Sequence, residues 1–163
     1  MILWLTILLV HSHCGKGKSE ADRIEEMFAE IARQVEQENT ANLVHYLSED
    51  FSDFEDRSRE DIEDLVERYF QRYQNIVFHL LSTKVVFIHG LEAEVEVEIS
   101  LSSGAAKMFR RLIKFSGQLY RFNLELVKIQ ENWKIAYAEW RYITIDQLFP
   151  ESFKVLRKIF PKI

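Results

Sequence analysis

"LEAEVEVEISL", residues 91–101, alternates without a break. Leu91, Ala93, Val95, Val97, Ile99 and Leu101 form one set, and Glu92, Glu94, Glu96 and Glu98 the other. A strand sends successive side chains to opposite faces. A helix, with its longer period, would mix the two sets on every face. The stretch is therefore a strand with one face in a core and the other in water. Such strands belong to antiparallel sheets covered on one side.

The flanking segments extend that sheet. "QLYRFNLEL" (118–126) places Tyr120, Phe122, Leu124 and Leu126 opposite Arg121, Asn123 and Glu125. "NWKIAYAEWRYI" (132–143) follows a turn at Gln130–Asn132, and its period slips near Ala136–Ala138, the mark of a bulge. "NIVFHLLSTKVVFIHG" (75–90) is rich in β-branched and aromatic residues and ends on a His89-Gly90 turn. Four strands joined as a meander are expected.

The residues before Asn75 read as helices. Ser19 is a fair N-cap, with Glu20 and Asp22 in the first turn. Ile24, Met27, Phe28, Ile31 and Val35 make one apolar stripe, so the first helix runs to about Glu38. A short second helix is expected over Thr40–Leu47, closing on Phe51. Ser58 and Asp61 resemble a capping box, and Ile62, Leu65, Val66, Tyr69, Phe70 and Tyr73 give a third amphipathic helix. Asp146 to Phe160 reads as a terminal helical extension broken at Pro150. The fold class is α+β: about three N-terminal helices packed on a curved, mostly antiparallel four-stranded sheet.

Charge follows the same division. Residues 15–75 carry 8 basic and 17 acidic side chains, and residues 76–163 carry 13 and 9. The net charge of −5 argues against nucleic acid as a partner.

The order of elements, with "LVHYLSEDF", the hairpin "GQLYRFNLELVKIQENWKI" and the closing strand "WKIAYAEW", resembles the nuclear-transport-factor-2-like superfamily over roughly 23–143. Ketosteroid isomerase and polyketide-cyclase-like proteins share its cone-shaped fold. The resemblance implies a pocket between helices and sheet. Some members catalyse isomerisation or dehydration there, some only bind a ligand, and some are interaction modules. Fold alone does not choose among them.

The N-terminus carries a second resemblance. The apolar run Ile2–Val10 is too short for a membrane span, which needs ~20 residues, but suits a signal peptide. The lone cysteine, Cys14, follows it and leads into a Gly/Lys/Ser linker. This looks like a bacterial lipoprotein signal, although His11 and His13 depart from the pattern and only Ser12 fits. It implies a signal peptide over 1–14, lipidation at Cys14, a linker over 15–22, a cone domain over 23–145 and an extension over 146–163. The chain would then be anchored at the bacterial cell envelope.

Candidate chemistry is sparse. The acidic stretch "SEDFSDFEDRSRED" lacks the ordered calcium loop, and the histidines form no zinc motif, so no metal or cofactor is expected. The Glu92–Glu98 row reads as an outer face, offset by Lys84, Arg121 or Lys134. Helix one has no Tyr, so the ketosteroid isomerase assignment does not carry over, and no catalytic residue is assigned. Candidate ligand contacts are Tyr46, Tyr69, Tyr73, His79, Tyr120, Tyr137 and Trp140, aromatic bodies with polar tips. "AAKMFRRLIKF" interleaves Lys107, Arg110, Arg111 and Lys114 with apolar residues, as a membrane-facing, partner-facing or lid segment would. The expected function is binding of a small apolar ligand or a partner protein without catalysis. The alternatives are an isomerase- or dehydratase-type enzyme and a homodimeric interaction module.

Overall fold

A computed structural model describes residues 17–104 and 117–150. The expectations for Cys14, for Lys107, Arg110, Arg111 and Lys114, and for the extension beyond Pro150 lie outside the described residues. The elements are α1 (Glu20–Glu36), α2 (Thr40–Val44), β1 (Leu47–Asp53), α3 (Arg59–Arg72), β2 (Val77–His89), β3 (Glu92–Ser102), β4 (Gln118–Ile129), β5 (Asn132–Ile143) and α4 (Ile145–Leu148).

The sheet runs β1-β5-β4-β3-β2. β2 to β5 form the expected antiparallel meander, and β1 adds parallel to β5. The sheet thus has five strands rather than four, and α2 stops at Val44 rather than Leu47. "LSEDFSD" hides its strand because Glu49 and Asp50 stand exposed side by side, where pairing with β5 is interrupted between Leu47 and Ser52. Partnership with β5, which lies more than eighty residues away, makes it a strand.

Bulges explain the other irregularities. In β5 Ala136 lies at a break in the register, between Ile135 opposite Leu126 and Tyr137 opposite Glu125. That break is where the sequence slips period. β2 has two more, at the doubled apolar pairs Leu80-Leu81 and Val85-Val86. Each shifts the alternation by one, so Phe78, Leu80, Val85 and Ile88 all reach the core side.

Both long helices begin alike. Ser19 Oγ accepts from Asp22 N–H at 3.1 Å, and Asp22 Oδ2 accepts from Ser19 N–H at 2.9 Å. Ser58 and Asp61 repeat this at 3.3 and 2.9 Å. The core gathers Ile24, Met27 and Phe28 of α1 against the inner face of the sheet, where Val95, Val97, Leu124, Leu126 and Trp133 are buried. Glu20 ties α1 to the β4–β5 hairpin, accepting from Trp133 Nε1 at 2.9 Å and from Lys128 Nζ at 3.1 Å.

Candidate ligand cavity

The alternation of β3 and β4 directs Val97, Ile99, Phe122 and Leu124 to the inner face, and α3 lies across from them. The apolar stripe of α3 does not close on the sheet. Ile62, Leu65, Val66, Tyr69 and Phe70 face a cavity, and no α3 residue is fully buried. The cavity measures about 410 Å³. Small-molecule sites run from roughly 300 to 1,000 Å³. Among the described residues 21 line it, none of them charged, and of these only Tyr69, Tyr120 and Trp140 bring a polar side-chain atom.

Tyr69, Tyr120 and Trp140 are therefore brought together at one cavity. Tyr73 stands beside it, its ring 4.6 Å from that of Tyr69. Tyr46 packs against the closed end of the core, His79 lies opposite Ser100, and Tyr137 sits opposite Glu125 beside the bulge; none of these three lines the cavity. Tyr142 joins the group instead, with its ring 4.5 Å from that of Tyr120. Burial, and then the neighbouring Tyr142, push the Tyr120 hydroxyl well above the usual phenol range. Burial likewise raises Tyr69. Both hydroxyls stay protonated at neutral pH and act as hydrogen-bond donors, not as bases.

The Trp140 wall is braced from behind. The Phe54 ring meets it edge-on at 4.9 Å, and the Arg57 guanidinium carbon lies 4.9 Å from its centroid. Arg57 is held by Asp53, whose side chain is fully buried: Arg57 Nε donates to Oδ2 at 2.7 Å. The backbone N–H groups of Glu55 and Arg57 donate to Oδ1 at 2.9 and 3.0 Å. Burial alone would raise the Asp53 carboxyl; the Arg57 and Glu55 donors and the Arg57 charge outweigh it and hold the carboxyl below its ordinary range. In the sequence Asp53 is one of the seven acids of "SEDFSDFEDRSRED" and nothing in the composition of that stretch singles it out. The available signal was its spacing, with a carboxylate two and four residues before N–H groups it can accept from.

The outer face is polar. Glu98 accepts from Arg121 at 2.5 and 3.0 Å and from Ser82 at 2.9 Å, while Glu96 stands 3.7 Å from Arg121. Arg121 thus provides the offset expected for the glutamate row. Lys84 lies opposite Glu96, and Lys134 donates to His45 O. Among the described residues no group of three His, Cys, Asp or Glu is placed to hold a metal, and no helix is long and apolar enough to cross a membrane.

This architecture recurs in solved structures. A Novosphingobium aromaticivorans protein provisionally named a scytalone dehydratase superposes with a TM-score of 0.61 at 15% identity, covering 75% of this chain and 83% of its own. A Caulobacter vibrioides protein, uncharacterised and described as cystatin-like, gives 0.62 at 13% identity, covering 83% and 96%. A Streptomyces avermitilis protein, provisionally called a dehydratase of the nuclear-transport-factor-2-like family, gives 0.61 at 12%, covering 76% and 96%. The chain has the nuclear-transport-factor-2-like cone fold. At such identities the likeness concerns the fold alone. No family model and no curated protein matches the chain. In this cone fold Ile24 and Met27 of α1 pack into the core with Trp133, while α3, Tyr120, Trp140 and the Phe28, Ile31 and Val35 side of α1 border the cavity.

Proposed function

We propose that the domain binds a small, uncharged apolar molecule in the cavity and holds it without chemical change. The observation that carries this reading is the lining: 21 described residues, none of them charged. An ionised ligand group inside would be desolvated without a partner, which is strongly unfavourable. Acid–base catalysis would ask for a carboxylate or histidine within hydrogen-bond reach of the ligand, and among the described residues the lining offers only protonated phenols and an indole N–H. The Tyr69 hydroxyl suits a single acceptor oxygen on an otherwise apolar body, while that of Tyr120 already donates to Gln118 Oε1 at 3.0 Å.

Titration with Nile red, a neutral apolar dye, tests this. Saturable binding is expected, with displacement by neutral polycyclic compounds and not by their carboxylated analogues. Val66→Trp, which fills the cavity from α3, should abolish binding while leaving the far-UV spectrum unchanged. Equal dye binding by Val66→Trp, or turnover of a displacing compound, would defeat the reading.

The cellular setting we propose rests on the leader: Cys14 carries a lipid and anchors the domain at the bacterial envelope. Its test is the Cys14→Ser variant, which should leave the membrane fraction. An intact Met1 with a free thiol in native cells would remove the anchor.

A further inference from the structure

The outer face of the sheet divides into two halves. In one, Glu96 and Glu98 share Arg121, which also donates to Gln147 O at 3.2 Å. In the other, toward the β2–β3 and β4–β5 hairpins, Glu94 stands directly opposite Glu125. Like charges in that position repel and weaken the sheet. Glu92 flanks them, and Glu49 and Asp50 of β1 complete the border of a groove of about 840 Å³. None of these five carboxylates is in an ion pair or side-chain hydrogen bond with a described residue, whereas the first half is fully paired. Among the described residues the groove's basic side chains are His45, Arg59 and Lys134, and Lys134 is engaged with His45 O.

Two features besides charge distinguish the groove. Phe87 and Ile129 line it while 43% and 44% exposed. Ser48 also lines it, is only 5% exposed, and its hydroxyl has no hydrogen-bond partner. A buried hydroxyl without a partner is destabilising, and exposed apolar surface rimmed by charge marks an interaction site. The β1 irregularity between Leu47 and Ser52 sets both Ser48 and the Glu49-Asp50 pair at the groove.

We propose that this groove docks a basic amphipathic segment of a partner protein. Its Lys and Arg side chains would meet the five carboxylates and separate Glu94 from Glu125 electrostatically. Its apolar side chains would cover Phe87 and Ile129, and a polar group would reach Ser48. The surface is independent of the cavity and does not rest on its ligand.

The probe is an amidated helical peptide of lysines on one face and leucines on the other, titrated onto the full chain by fluorescence anisotropy. Binding is expected in low salt and should fall as salt shortens the Debye length from ~10 Å at 0.1 M to ~3 Å at 1 M. The double variant Glu94→Lys, Glu125→Lys should weaken binding about tenfold or more, since rim charges steer association and set specificity. Phe87→Ser should weaken it too, with an unchanged melting temperature because Phe87 is exposed. Glu96→Lys, on the paired half, should have little effect. The proposal is overturned if the glutamate-for-lysine peptide binds equally, or if the double variant binds as the parent does. It is also overturned if the chain proves dimeric in low salt and Phe87→Glu makes it monomeric, because the occupant is then a second copy.

Discussion

α1 and α3 are near twins in sequence and opposites in packing. Each starts at a serine N-cap with an aspartate three residues on, and each carries one apolar stripe. α1 buries Ile24, Met27 and Phe28; α3 buries no residue fully. The start of the α1 stripe, Ile24 and Met27, packs into the core with Trp133, and its later residues Phe28, Ile31 and Val35 also line the cavity. The stripe of α3 lines the cavity along its length and packs against the core only at Ile62. Periodicity reports which side of a helix avoids water, not whether atoms or a cavity lie against it. The difference is one of degree: α3 gives almost its whole stripe to the cavity, α1 only part of it.

The contrast predicts unequal effects of equal truncations. Ile24 has no exposed surface, so Ile24→Ala should cost ~2–5 kcal/mol, the range for buried aliphatic deletions that leave a void. Chemical denaturation measures it. A cost below ~1 kcal/mol would mean that the closed end is as loose as α3.

Next in size is the brace that sets where α3 begins. Asp53→Ala removes three hydrogen bonds to a fully buried carboxylate and frees Arg57 from behind Trp140. A loss of about 2–4 kcal/mol is expected, reduced from that of a fully buried pair because Arg57 is partly exposed and can turn to water. The pH dependence has a definite sign. The folded carboxyl titrates below its ordinary value, so its stabilisation is complete above about pH 4 and is lost as pH falls through the lower folded value. Asp53→Asn should flatten that acid limb. An unchanged limb would place the acid sensitivity elsewhere.

The sheet was legible because burial on one face imposes a period of two, and Val97 and Phe122 point inward as their alternation required. The capping boxes were legible because they are local. What escaped depends on distant partners. β1 is a strand through β5, Asp53 is buried through its own turn and Arg57, and Tyr142 reaches the cavity's edge through Tyr120 opposite it. Of the aromatic candidates, those on the inner faces of α3, β4 and β5 reached the cavity. Tyr137 did not, because the bulge at Ala136 places it opposite Glu125.

A smaller effect separates stability from binding. Val66 of α3 faces the cavity and is only half-buried. Val66→Ala removes methyl groups that touch little protein, so it should cost under ~1.5 kcal/mol, below the Ile24 effect. Nile red affinity should change more than stability does. If stability falls as far as in Ile24→Ala, the cavity is closed in solution and the twins are packed alike.

The smallest change is Tyr69→Phe. It deletes one hydroxyl and leaves the ring against Tyr73 and Phe70. Burial raises the pKa of this hydroxyl, so the group removed is a neutral donor and no charge is lost. Stability should move by less than ~0.5 kcal/mol, as for substitutions outside a packed core. Its value lies in the ligand series. A neutral compound with an acceptor oxygen should bind Tyr69→Phe more weakly than the parent, while a hydrocarbon of the same shape should not distinguish them. Equal loss for both would mean that the ring shapes the cavity and the hydroxyl recognises nothing. Loss for the oxygenated compound alone would make α3 the recognition helix, free to serve as one because its apolar face, Ile62 apart, is given to the cavity and not to the core.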